Sequence, residues 1–202
     1  MYWKSKAGSP RGVAMDWMKQ LGGVLDRYAD AGSVRPPDAA VHEDFDRFAQ
    51  AAPPDALADG LSAAFRSDQT PPFPQMASQL FGRASGAQRA NILNMLLTTV
   101  GPLVVQQILA RRQRGTASSG QGGVLGQILR GGSGAPQVTP ETADQLDPQD
   151  VEDIAREAEK KDPSVIDKIS QVYAQQPHLV KMLGGAALAI ALGRMAQKRG
   201  AI

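Results

Sequence analysis

The sequence predicts an all-α protein, with bundle-like helical regions joined by a flexible linker rich in Gly and Ser. Apolar residues recur at helical spacing in one segment after another, and no run alternates between apolar and polar residues as a strand would. Three pairs, Thr139-Pro140, Asp147-Pro148 and Asp162-Pro163, place a capping side chain directly before a proline, which is typical of helix starts. We therefore expect helices nearly everywhere outside the Gly- and Ser-rich stretch.

Composition divides the 202-residue chain into four parts. Residues 1–14 are basic but contain no apolar segment of the length of a secretory signal, and we expect a disordered leader. Helical patterns follow over 15–112, the N-terminal helical region. Residues 113–138 are rich in Gly, Ser and Gln around one short apolar island, which indicates a flexible linker. A C-terminal helical region covers 139–202.

The N-terminal helical region begins with three predicted helices. The first covers 16–30, the second follows Asp38, and the third follows the Pro53-Pro54 pair. A proline-rich turn then leads into a short segment that ends near Phe81. The predicted inward faces of the three helices carry Trp17, Leu21, Val24, Leu25, Tyr28, Val41, Phe45, Phe48, Leu57, Leu61, Ala64 and Phe65.

A long uncharged segment follows. Ser85 and Gln88 form the Ser-x-x-Gln pattern of a capping box, which predicts a helix start. Between Arg89 and Arg111 lie 21 uncharged residues, with Gly101-Pro102 in the middle. Amide and hydroxyl side chains in this stretch argue against a membrane span, because lipid offers them no hydrogen-bond partner. We expect a buried core hairpin that is kinked or broken at its centre.

The last predicted helix, which begins near Pro177, has the most informative pattern in the chain. Its centre, from Met182 to Gly193, carries no charge. At a rise of about 1.5 Å per residue this centre spans roughly 18 Å, well short of the roughly 30 Å of a bilayer core. Gly185, Ala189 and Gly193 recur every four residues, so this small-residue line lies along one side of a helix and permits close approach of another backbone.

Leu188 and Leu192 flank this line and complete the predicted interaction surface. Three interpretations of the helix are open. The small-residue line packs inside its own chain, against the hairpin at 92–109, or it docks a protein partner or a second copy of the chain. In the third interpretation the helix contacts a membrane surface. The basic residues that would then meet the headgroups are Lys181, Arg194, Lys198 and Arg199.

The sequence carries no pattern that points to catalysis, a metal or a cofactor. Cysteine is absent, which excludes thiol nucleophiles and disulfides. The two histidines, His42 and His178, leave almost nothing from which a histidine-dependent triad or a multi-histidine metal site could be built. His42 and Asp46 are four residues apart, but a charged helix face explains them better than a shared metal. The Gly-rich stretch at 120–126 follows no strand and lacks the lysine of a phosphate-binding loop. We predict a non-enzymatic protein without a cofactor.

The net charge of +2 conceals an alternation of sign along the chain, from positive to negative, then positive and negative again. This alternation favours pairing between segments over a uniformly basic surface. Arg111, Arg112 and Arg114 form the candidate anion contact, although arginines at a helix end more often complement the helix dipole. We expect a protein partner or a homo-oligomer, with membrane contact as the alternative, rather than a nucleic acid.

Three pieces of the chain, 80–97, 122–129 and 173–192, resemble uncharacterised bacterial helical proteins. The Gly-Gly-Val-Leu-Gly sequence within the second piece is also similar to the YidB-like family, small all-helical bacterial proteins of unknown function. The resemblance implies a soluble bacterial helical protein and leaves its activity open. Because residues 1–14 carry no secretory-signal pattern and the small-residue line suits packing, we expect a cytoplasmic interaction or scaffold protein, with peripheral membrane association as the alternative.

Overall fold

The structure, a computed structural model, describes residues 21–29, 36–115 and 138–199. In this part of the chain every regular element is a helix, which confirms the all-α prediction. The leader at 1–14, the start of the first predicted helix and nearly all of the predicted linker lie outside the described residues.

Eleven α-helices and one 3-10 helix are present in the described residues. They are α1 (Gly22–Ala29), α2 (Asp38–Ala51), α3 (Pro54–Phe65), α4 (Phe73–Arg83), α5 (Gly86–Val100), α6 (Pro102–Gly115), α7 (Pro140–Asp144), α8 (Pro148–Lys161), α9 (Val165–Ala174), α10 (Pro177–Val180) and α11 (Gly185–Arg199), with the 3-10 helix Lys181–Leu183 preceding α11.

Three of the four predicted capping residues, Ser85, Thr139 and Asp147, start a helix as expected. The Gln88 side chain accepts a hydrogen bond from the Ser85 amide at 2.9 Å, as a capping box requires. Thr139 and Asp147 accept from backbone amides of α7 and α8. Asp162 differs, because its side chain accepts from the Ser164 amide and closes a turn, so that α9 begins three residues after Asp162.

Two glycines with positive φ break the long uncharged segments. Gly101, at φ +77°, separates α5 from α6 at the predicted position. Gly184, at φ +86°, stands directly before α11, and the segments on its two sides are bent by 117°. The prediction of one continuous helix from Pro177 is therefore wrong. Glycine adopts positive φ at no steric cost, whereas a residue with a Cβ is strained there.

The helices on both sides of the predicted linker share one hydrophobic core. α11 packs chiefly on α3, α1 and α2, rather than on the 92–109 hairpin as one interpretation expected. α8 packs on α4 and α5, and α9 packs on α3 and α5. Helices from the end of the chain therefore pack directly against helices from its beginning.

The predicted inward faces are buried wherever the structure describes their side chains; Trp17 and the side chain of Leu25 fall outside it. Most apolar residues of the 92–109 hairpin are buried as well. Met95 and Val104 are partly buried, and Leu103 is 72% exposed, because it lies in the first turn of α6 and faces away from the core.

Candidate functional site

The small-residue line of α11 lies against other helices of the same chain. A Cβ atom at Gly185 would overlap the carboxylate of Asp38, at the start of α2. A Cβ at Gly193 would lie 3.3 Å from the carbonyl oxygen of Tyr28 in α1. Ala189 is half-buried against the core between these two contacts. Glycine at both ends of the line thus lets α11 approach the N-terminal helices closely.

Leu188 and Leu192, which flank this line, are completely buried. Their side chains belong to the core that α11 forms with the N-terminal helices. The residues predicted as an interaction surface therefore make their contacts within the chain.

A second close approach involves Gly60, which the sequence reasoning did not single out. A Cβ at Gly60 would lie 2.9 Å from the carbonyl oxygen of Ala191 and would overlap the end of the Met195 side chain. Glycine inside a helix costs roughly 1 kcal/mol relative to alanine, so a mid-helix glycine such as this one needs a packing reason. The contact between α3 and α11 supplies that reason.

A polar groove lies where α3, α9 and α11 meet. Its volume is about 600 Å³, and several of its lining residues are exposed to solvent. We call it the α3–α9–α11 groove. Its lining residues are Asp59, Ser62, Ala63, Arg66, Asp167, Arg194 and Gln197.

One wall of the groove is fixed by an ion pair between α9 and the end of α3. Arg66 donates two hydrogen bonds to the carboxylate of Asp167, at 2.7 and 2.8 Å, and a third to the carbonyl oxygen of Pro163 at 3.3 Å. The Ser62 hydroxyl also donates to Asp167. A guanidinium that meets a carboxylate through two parallel hydrogen bonds has a defined orientation. These contacts hold the two helices in register.

The same contacts determine the protonation states of Asp167 and Arg66. The hydrogen bonds from Arg66 hold the pKa of Asp167 below its ordinary value, against the opposing effect of burial, and Ser62 lowers it further. The hydrogen bond to Asp167 in turn raises the pKa of Arg66. Asp167 is therefore ionised at neutral pH, and its charge is matched by Arg66.

The other wall belongs to α11. Arg194 and Gln197 lie three residues apart, on one face of that helix, and both are exposed. Within the described residues the guanidinium of Arg194 has no hydrogen-bond or ion-pair partner. Asp59, also exposed, lines the groove from α3. The groove thus combines one satisfied ion pair with a cation that is available to a ligand.

A separate polar cluster anchors α1 on α2. Asp44 is only 2% exposed, and it accepts hydrogen bonds from the Tyr28 hydroxyl at 3.0 Å and from Arg27 at 3.2 Å. Burial, followed by the hydrogen bond to Asp44, raises the pKa of Tyr28. Arg47 lies 3.8 Å from the same carboxylate. This cluster has the features of a structural anchor, because its carboxylate is enclosed and already bonded.

The remaining predicted polar residues do not come together. Asp46 accepts a 2.6 Å hydrogen bond from Lys181, so Asp46 has a partner other than His42. Lys181, one of the basic residues predicted to meet lipid headgroups, is engaged by the same contact. His178 is exposed in the first turn of α10. Over 21–29, 36–115 and 138–199, no three His, Asp or Glu side chains are grouped as a metal site would require.

The predicted anion contact cannot be placed in the site. Arg111, Arg112 and Arg114 belong to α6 by their backbone, and their side chains lie outside the described part of the structure.

Among the described helices, none is by itself long and apolar enough to cross a membrane. Pro177–Leu183 and Gly185–Gln197 reach the required length and composition only when taken together, across the 117° bend.

Comparison with known proteins returns no match of the chain to a family model, to a curated protein or to a solved structure. The resemblance to the YidB-like family therefore stays a prediction, and the site has to be interpreted from its own geometry.

Proposed function

We propose that this chain is a non-enzymatic helical interaction or scaffold protein. The observation that carries the proposal is the α3–α9–α11 groove, in which Arg66, Asp167 and Ser62 fix one another while Arg194 and Gln197 remain open to solvent. Arg194 and Gln197 are carried by a helix whose residues Met195 and Ala196 are buried in the core, so their backbone is fixed before a partner binds and only side-chain freedom is lost.

In this proposal the small-residue line has a packing role. The contacts of Gly185 with Asp38 and of Gly193 with Tyr28 occupy the line within the chain and attach α11 to α1 and α2. They favour the packing interpretation over self-association through this line. The interaction surface is then the groove that α11 completes, rather than the line itself.

Reciprocal affinity purification from the native host, with the full chain and gentle detergent, tests the proposed function. Removal of residues 177–202 would be a poor control, because α11 contributes Leu188, Leu192 and other core residues. We expect a protein that co-purifies with the tagged chain and recovers the chain when it is itself tagged, or a homo-oligomer in light scattering. A chain that stays monomeric and recovers nothing reciprocally would refute the proposal.

Peripheral membrane association is the second candidate. The observation in its favour is Met182, which is 48% exposed in the 3-10 helix at the bend before α11. An exposed apolar side chain can insert at a bilayer surface. Flotation with anionic liposomes, lost in the Met182→Gln variant, would favour this candidate. Absence of flotation with both anionic and neutral lipids would eliminate it.

A further inference from the structure

We propose that the helices α1–α6, the N-terminal half, recognise residues 138–199 of a second copy of the chain, so that two chains associate by exchanging this segment. We call residues 138–199, which contain α7–α11, the C-terminal half. The inference goes beyond the proposed function, because it concerns the interface between the halves and names a second copy as the partner.

The interface between the halves contains most of the helix packing in the described residues. α11 packs on α1, α2 and α3, α9 packs on α3, and α8 packs on α4 and α5, whereas the helices within either half contact one another far less. A half on its own would therefore leave one side of its core open to water. Burial of apolar surface favours association of an intact N-terminal half with an intact C-terminal half, whichever chain supplies each of them.

Polar contacts make this interface specific. Three ion pairs join the halves, each with one residue from either side. They are Arg66–Asp167, Arg89–Asp144 and Lys181–Asp46. Asn94 of α5 also donates a hydrogen bond to the Val138 carbonyl oxygen at 3.2 Å and accepts one from the Val138 amide at 2.7 Å. An unrelated helical segment would lack these partners, so the surface selects a segment with the sequence of the C-terminal half.

The connection between the halves is long enough for exchange. Residues 116–137 provide 22 residues between them. A chain of that length extends to roughly 75 Å, whereas a folded unit of about 150 residues is roughly 40 Å across. The C-terminal half can therefore reach the N-terminal half of a neighbouring copy.

Exchange also assembles the α3–α9–α11 groove from two chains. In an exchanged pair α3 comes from one copy, and α9 and α11 come from the other. The same residues meet as in the single chain, so every contact between the halves is kept.

The test is complementation between two full-length variants that each carry one damaged half. One variant, Leu61→Asp with Phe65→Asp, damages α3. The other, Leu188→Asp with Leu192→Asp, damages α11, and all four side chains are buried. Two buried carboxylates without partners should unfold either variant alone. Refolded together from urea, the variants should regain about half of the parent's helical signal, and the Tm of the mixture should rise with protein concentration, as for an assembly of two chains.

The matched control mixes the damaged-α3 variant with Phe45→Asp combined with Phe48→Asp, which damages α2. Neither chain of this mixture has an intact N-terminal half, so the mixture should stay unfolded. Different affinity tags on the two chains give a second readout, because one tag should recover the other chain only from the complementary mixture.

The parent chain provides a measurement without damaged variants. A tethered segment has an effective concentration in the millimolar range, so refolding at about 1 mM should yield a dimer in light scattering, and refolding at about 10 μM should yield a monomer. Absence of dimer at the higher concentration, or a complementary mixture no more folded than the control, would overturn the inference. A reciprocally recovered protein partner would still support the proposed function, so the two proposals can fail separately.

Discussion

The close approach of α3 and α11 at Gly60 leads to a quantitative prediction for Gly60→Ala. The added Cβ would lie 2.9 Å from the Ala191 carbonyl oxygen and would overlap the end of Met195. Met195 can rotate away, but a backbone oxygen moves only with its helix. Overpacking of this kind costs roughly 1 to 3 kcal/mol, and the gain in helix propensity from Gly to Ala returns about 1 kcal/mol. We expect a net loss of about 1 kcal/mol in the free energy of unfolding.

The assay is urea denaturation followed by far-UV circular dichroism, with thermal melting in parallel. For a chain of this size 1 kcal/mol corresponds to a fall of about 2–4 °C in Tm. Gly82→Ala is the matched control, because Gly82 is also helical and a Cβ there meets no atom within 4 Å. That variant should be neutral or more stable by up to about 1 kcal/mol. If Gly60→Ala were as stable as Gly82→Ala, α3 and α11 would not approach as described.

Three further predictions concern polar groups. The pKa of Asp167 is lowered in the folded chain, so its contribution to stability is present above the ordinary aspartate pKa of about 3.9 and is lost as pH falls through the lower folded value. The unfolding free energy of Asp167→Asn should therefore fall less steeply with acidification than that of the parent chain. Asp44→Ala, which leaves the buried Tyr28 hydroxyl without its acceptor, should lower the unfolding free energy by about 1–3 kcal/mol in urea, and a neutral result would contradict the anchor. The Tyr173 hydroxyl is buried without a hydrogen-bond partner in the described structure, so Tyr173→Phe should be neutral or more stable by up to about 1 kcal/mol, and a clear loss would indicate a partner.

Local patterns in the sequence are sufficient to predict the fold class and many helix starts. The capping box at Ser85, the caps at Thr139 and Asp147, and the break at Gly101 all act within a few residues, so their effect can be inferred without tertiary contacts. Gly184 shows the limit of this reasoning. In the sequence it is one of two adjacent glycines, and only the structure reveals which of them has the positive φ that bends the chain.

The candidate site depends on contacts between distant residues, and these have no local signal. Ser62 and Arg66 meet Asp167 across more than 100 residues of sequence. The sequence does not distinguish Arg194 from the other basic residues, because its lack of a partner among the described residues depends on where α3 and α9 lie. Gly60 is recognisable as a glycine inside an apolar helix, but the helix that it faces cannot be named from the sequence. For the same reason, the sequence alone does not determine which helices the small-residue line contacts.

The central claim is that this chain recognises a protein partner through the α3–α9–α11 groove. Its most direct measurement is reciprocal affinity purification with three full-length baits, the parent chain, Arg194→Gln and Arg83→Gln, quantified by mass spectrometry. We predict one partner that is recovered equally by the parent and Arg83→Gln and is reduced about five-fold with Arg194→Gln. Arg83→Gln is the matched control, because Arg83 is an exposed arginine that does not line the groove. Equal recovery by all three baits would contradict the role of the groove. No reciprocal partner for any bait, together with a monomeric chain in light scattering, would contradict the interaction function itself.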